Sequence, residues 1–170
     1  LNSAIADDGN NRGVHFLTDV SQASGTGSLS RTSEIIFGGV GTYGGYTHIT
    51  ANRAPDDLSV FSGTVILTNG NDRLPTTTTL LLGGLTNTIG HVQGNGRLVL
   101  NGYNQELAGL VMLGTGLSNR VTGGSAILST LTLNIGAGTN NIFGGFLGGP
   151  GANDNNFSLV SKGQGILDLT

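Results

Sequence analysis

Short apolar-x-apolar pairs recur along this 170-residue chain: Ile35 and Phe37, Val65 and Leu67, Leu80 and Leu82, Leu98 and Leu100, Leu131 and Leu133, Leu167 and Leu169. Residues two apart share one face of a strand, so each pair predicts a short strand with one buried side. No window carries an apolar i, i+3, i+4 stripe, and glycine or β-branched residues interrupt every stretch long enough for a helix. Little or no α-helix is expected. From Val65 onward the pairs begin at unequal intervals, which excludes a rigid short-period repeat. The corners between them also differ widely in length. Hairpins need tight turns between matched strands. A coil instead lets a loop bulge outward without shifting the strands above and below. The predicted fold is therefore all-β, a parallel β-helix in the form of an irregular β-solenoid, with an antiparallel β-sandwich as the alternative.

Composition narrows the class of protein. Thirty-one glycines, a charged share of 10% and no Cys or Trp suit many short strands joined by turns. Only three prolines and no three-residue glycine period exclude collagen. The net charge is −3 and the seven basic residues are scattered singly from Arg12 to Lys162, so no stripe exists to follow phosphates and no nucleic-acid partner is expected. No apolar run approaches the ~18 residues of a membrane helix, and no membrane contact is expected of this segment. The chain opens at Leu1 without a Met, as either a processed protein or an excerpt would.

One phrase returns late in the chain. LSRTSEIIFGGVGTYGGYTHI, from Leu29 to Ile49, sets a Leu before a lone cation and an apolar pair, and LVSKGQGILDL, from Leu159 to Leu169, does the same. Residues 29–49 and 159–170 are thus read as junctions between serial modules, one module running from Leu29 to Leu159, with residues 1–170 forming one solenoid segment of a longer repetitive chain. Ile35 and Phe37 are expected to stack in the same core as Leu167 and Leu169. The first phrase resembles the autotransporter-associated β-strand repeat through Leu29, Arg31, Ile35, Phe37, Gly39, Tyr43, Gly44, Gly45 and Thr47, with Ser33 and Glu34 replacing that family's first glycine pair. The second shares Leu159, Lys162, Gly163, Gly165, Leu167 and Leu169. Residues 63–84 and 97–110 are also similar to sequences that accompany the repeat, so the resemblance covers most of the chain from Leu29 onward. It implies a right-handed parallel β-helix in the passenger region of a bacterial secreted or surface-displayed protein, hence an extracellular stalk, adhesin passenger or filament-forming subunit. Because each coil's strand edge is satisfied by the next, the expected partners are neighbouring β-helix modules in the same chain or identical subunits stacked end to end, with host or matrix glycans as a further expectation. The resemblance brings no catalytic residue and no cofactor.

Candidate chemistry is sparse. His15, His48 and His91 stand far apart without metal-ligand spacing and are read as isolated surface or corner residues. Asp7-Asp8 and Asp56-Asp57 fall in polar corners and are read as turn formers. Clustered acids are what the alternative function, a carbohydrate-binding or carbohydrate-degrading β-helix, would require. GGPGANDNN, from Gly148, is similar to a calcium-binding nonapeptide but has Asn153 where Asp is needed, and is read as a turn. Thr76 to Leu82 reads as a strand with a threonine face, Leu107 and Leu110 as one further strand, and outward threonines as exposed ladders. Asn101, Asn104 and Asn119 are expected in left-handed corners forming amide ladders. Tyr43, Tyr46 and Tyr103 are read as covering corners rather than as a sugar-stacking strip. No enzyme activity, metal or cofactor is expected.

Overall fold

The computed structural model describes residues 1–19, 31–52, 61–84, 94–114 and 118–170. Every strand pairing among them is parallel and no helix occurs. The strands stack on three faces. The third face begins with β1 (Val14–Asp19), and the first face with β2 (Arg31–Phe37). Then β3 (Thr47–Asn52), β4 (Phe61–Leu67), β5 (Thr79–Leu82) and β6 (Asn95–Val99) alternate between third and first. The second face carries β7 (Gln105–Leu107), after which β8 (Gly109–Met112) and β9 (Arg120–Thr122) lie on the third and first. β10 (Ser129–Ile135) stacks on β7, β12 (Phe146–Leu147) on β9, and β13 (Phe157–Gly163) on β10. β11 (Asn140–Phe143) pairs with β14 (Ile166–Leu169) as a separate ladder above β8. The chain is thus a parallel β-helix, as the apolar pairs predict.

Register makes the core. Ile35, Val65, Leu98 and Val121 align rung by rung on the first face, Phe16, Ile49, Leu82 and Met112 on the third, and Leu107 with Leu133 on the second. Most of these side chains are fully buried in one cluster, each worth about 1.5–3 kcal/mol of transfer free energy. Coil length meanwhile varies. On the first face Ser62 aligns with Asn95, whereas Arg97 aligns with Arg120, so the second of these coils is the shorter. At the meeting of the first and third faces the walls come close, and a Cβ at Gly96 would run into the Ile49 carbonyl.

Several local expectations are corrected. Leu107 and Leu110 are three apart and cannot share a face of one strand, so the chain bends at Ala108 and they enter the core from β7 and β8. Thr76 and Thr77 form a turn and only Thr79 opens β5. Thr47, Thr64, Thr78 and Thr122 are buried rather than exposed. Asn101 is left-handed with φ of 54°, whereas Asn104 and Asn119 are not among the positive-φ residues. The ladders form by another route: Asn71 Oδ1 accepts from Asn104 N, Asn104 Oδ1 from Thr130 N, and Asn119 Oδ1 from Gly96 N.

The two similar phrases also hold different places in the coil. Ile35 and Phe37 lie on the first face, Lys162 on the second, and Leu167 and Leu169 on the third. Ile35, Phe37 and Leu167 do touch one core, but Leu169 is 52% exposed. A shared phrase therefore does not mark an equivalent rung. Leu29, like Asp56, Asp57 and His91, lies outside the described residues.

Candidate functional site

The glycine-rich part of the first phrase carries the chain from β2 on the first face to β3 on the third. Residues 1–5 run beside it: Gly38 and Gly39 donate to the Leu1 carbonyl, and Ile5 bridges Gly41. A Cβ at Gly39 would strike the Ser3 backbone. Asp7 fixes the next turn, its carboxylate accepting from Gly44 N at 2.6 Å and Gly9 N at 2.8 Å. These backbone donors, Gly44 first, hold its pKa below the ordinary carboxylate range. Asp8 instead pairs with Arg12 at 3.1 Å. The two adjacent acids therefore face separate structural partners.

Of the three tyrosines, Tyr43 points inward and is 2% exposed. Its hydroxyl lies 2.6 Å from Thr47 Oγ1, which lies 3.0 Å from Thr78 Oγ1, which donates to the Gly45 carbonyl. Burial pushes the phenol up to about 12. A sugar-stacking strip of all three tyrosines is thereby excluded, since one of them is inside. Tyr46 is half-exposed and covers Gly13.

Register brings His15 and His48 together on the outside of the third face. Their rings stack at 4.1 Å with an interplanar angle of 11°. They are therefore a pair, not two isolated residues. His48 Nε2 lies 2.5 Å from the Gly83 carbonyl, which requires a proton on that nitrogen. Partial burial, and then the neighbouring imidazole, lower the basicity of His15. Among the described residues no three His, Asp or Glu side chains gather as metal ligands.

The loop of residues 148–156 folds over the outer side of the first face. Asp154 is 7% exposed, and its carboxylate takes Arg97 Nη2 at 2.7 Å and Gly151 N at 3.1 Å. Asp154 thus ties the loop to the strand below through a guanidinium. Asn155 pins the same loop through Gly149 N and O. On the second face, Glu106 receives Asn134 and Lys162 across successive coils.

The two ends of the coil stack differ. At the first, the inward Phe16 and Phe37 are 4% and 0% exposed. At the second, β12, β13 and β14 are each hydrogen-bonded on one side only among the described residues, and the inward Leu159 and Leu169 are 36% and 52% exposed. Strand edges and apolar side chains thus coincide on one surface, a combination suited to accepting another strand layer. Signals for this surface exist in the sequence only as ordinary strand pattern. Comparison of the chain with protein-family models, curated proteins and solved structures finds no match.

Proposed function

We propose that this chain is a structural β-helix module of a bacterial secreted or surface-displayed protein, acting in display or assembly by stacking coil upon coil. The observation that carries the reading is the open edge of β12, β13 and β14, where inward Leu159 and Leu169 are exposed beside unpaired strand edges. Each coil–coil contact inside the molecule joins such an edge to a like edge in parallel register, and stability grows by adding neighbours. The occupant of the open edge is a further parallel coil, in the same chain or from an identical subunit. The extracellular setting rests on the resemblance of residues 29–49 to the autotransporter-associated repeat.

Negative-stain imaging and sedimentation of the purified chain test this. End-to-end association is expected, and Leu159→Lys with Leu169→Lys should abolish it while the melting transition persists. Association that survives the double variant, or discrete unassociated particles of the parent, would sink the assembly reading.

A further inference from the structure

We propose that a notch on the outer side of the first face, where Arg120 lies between Phe146 and the loop of residues 148–156, binds the carboxylate of an acidic sugar residue. This goes beyond the stacking role and does not depend on it. Register sets Arg97, Arg120 and Phe146 on successive rungs of one row. The row points outward, because Leu98 and Val121 beside the two arginines point into the core.

The two cations are served unequally. Arg97 is committed: it pairs with Asp154 at 2.7 Å and donates to Thr122 Oγ1 at 3.1 and 3.3 Å. Asp154 is committed too, through Arg97 and Gly151 N. Arg120 has no carboxylate among the described residues. Its Nε makes one long bond, 3.4 Å, to the Ser118 carbonyl, and its guanidinium carbon lies 5.6 Å from the centre of the Phe146 ring. Both terminal amino groups are left without an acceptor among the described residues, on a half-buried side chain. A planar guanidinium fork with two uncommitted amino groups matches a carboxylate in bidentate geometry.

The surroundings select the rest of the ligand. Phe146 is 55% exposed and offers an apolar ring beside the fork, suited to the C–H face of a pyranose. Gly149 brings the loop backbone close on this side: a Cβ there would strike Asp154 Oδ2 and would stand 3.1 Å from Arg120 Nη1. Two cations against one acid give a single local positive charge, enough for one carboxylate. A polyphosphate chain would need a basic stripe that this chain lacks.

The test is an NMR titration of the full chain with trigalacturonate, with maltotriose as the neutral sugar and inorganic sulfate as the bare anion. Trigalacturonate should shift the Arg120 Nε–H and Phe146 ring signals saturably, while maltotriose should not. Arg120→Gln should weaken trigalacturonate at least about tenfold, the loss of a charge-assisted pair. Phe146→Ala should weaken trigalacturonate and leave sulfate unchanged. Melting curves establish that both variants fold. Equal binding of maltotriose, or unchanged binding by Arg120→Gln, would overturn the site. Sulfate binding as tightly as trigalacturonate, with no effect of Phe146→Ala, would overturn the sugar and leave only an anion.

Discussion

Gln105 offers the sharpest test of how this coil is held together. It stands directly below Leu131 and Leu159 in the inward column of the second face, so pattern alone recommends Gln105→Leu as a repair of the core. The structure argues the reverse. Gln105 is 1% exposed; its Oε1 accepts from Leu74 N at 3.0 Å, and its Nε2 donates to the Leu74 carbonyl at 2.9 Å and to the Glu106 carbonyl at 2.6 Å. Leu74 is fully buried and is followed by Pro75, which has no N–H. The side-chain amide therefore stands in for a missing strand partner. With leucine, the Leu74 N–H and C=O lose their amide partner inside the core, at about 1–3 kcal/mol each. Better apolar burial returns roughly 1 kcal/mol. A net loss of about 2–4 kcal/mol is expected, or about 5–15 °C in melting temperature for a chain of this size. Gln105→Glu separates the roles of the two ends of the amide. A carboxylate can still accept from Leu74 N but cannot donate to its carbonyl. Burial raises the pKa of such an acid, so the variant should be least stable at neutral pH and recover as pH falls and the group takes up a proton. Urea and thermal unfolding at about pH 7 and pH 4.5, referred to the parent at each pH, supply the measurement. A Gln105→Leu protein as stable as the parent would refute the argument, because the amide bonds would then contribute nothing that packing does not.

Three further outcomes follow from other contacts. Gly96→Ala should fold poorly or lose about 3 kcal/mol or more, because its Cβ meets backbone at Ile49, whereas Gly138→Ala, with open space and φ of 77°, should cost only about 1 kcal/mol; urea midpoints compare them. Burial first, and His48 second, hold the His15 pKa below 6.5 in the folded state, so the stability it contributes is fully present above pH 6.5 and is lost as pH falls through the folded value; His15→Gln should flatten the urea midpoint between about pH 8 and pH 5, and an unchanged slope would exclude His15 as its cause. Tyr43→Phe should lower stability by about 1 kcal/mol and remove the phenolate absorbance step near 12, and a step that persists would assign the buried phenol elsewhere.

The strands were legible because their apolar pairs carry the period of two, and Val65, Leu67, Leu80, Leu82, Leu98, Leu100, Leu131 and Leu133 are all fully buried as that period requires. Which face a pair occupies was not legible. Leu167 resembles Ile35 in its phrase yet lies on another face, since local pattern specifies a strand and its inward side but not its place around the coil. Polar residues in apolar columns were illegible for a related reason. Gln105 and Asn141 look like surface residues until the neighbouring coil presents Leu74 N and Leu110 N to their side-chain oxygens. The same holds for contacts made by register. His15 meets His48 one coil further along the chain, and Arg97 meets Asp154 across a longer stretch still, separations that no fixed spacing encodes when coil length varies.

That variation has a physical basis in the division of labour between core and corner. The inward columns tolerate no slip, because a one-residue shift would turn every apolar side chain outward. Corners tolerate length, because their backbone groups can be satisfied by side chains rather than by a fixed partner: Asn71, Asp72 and Asn104 each accept from a backbone N–H of the next coil. An extra loop then needs only its own anchors. Residues 148–156 show this, leaving the coil between β12 and β13 and being held by Asp154 to Arg97, by Gly123 N to the Asp154 carbonyl, and by Asn155 to Gly149. The excursion that supplies those anchors also forms one wall beside Arg120. A parallel coil of this kind can therefore acquire surface chemistry at its corners without disturbing the ladder that stacks its rungs.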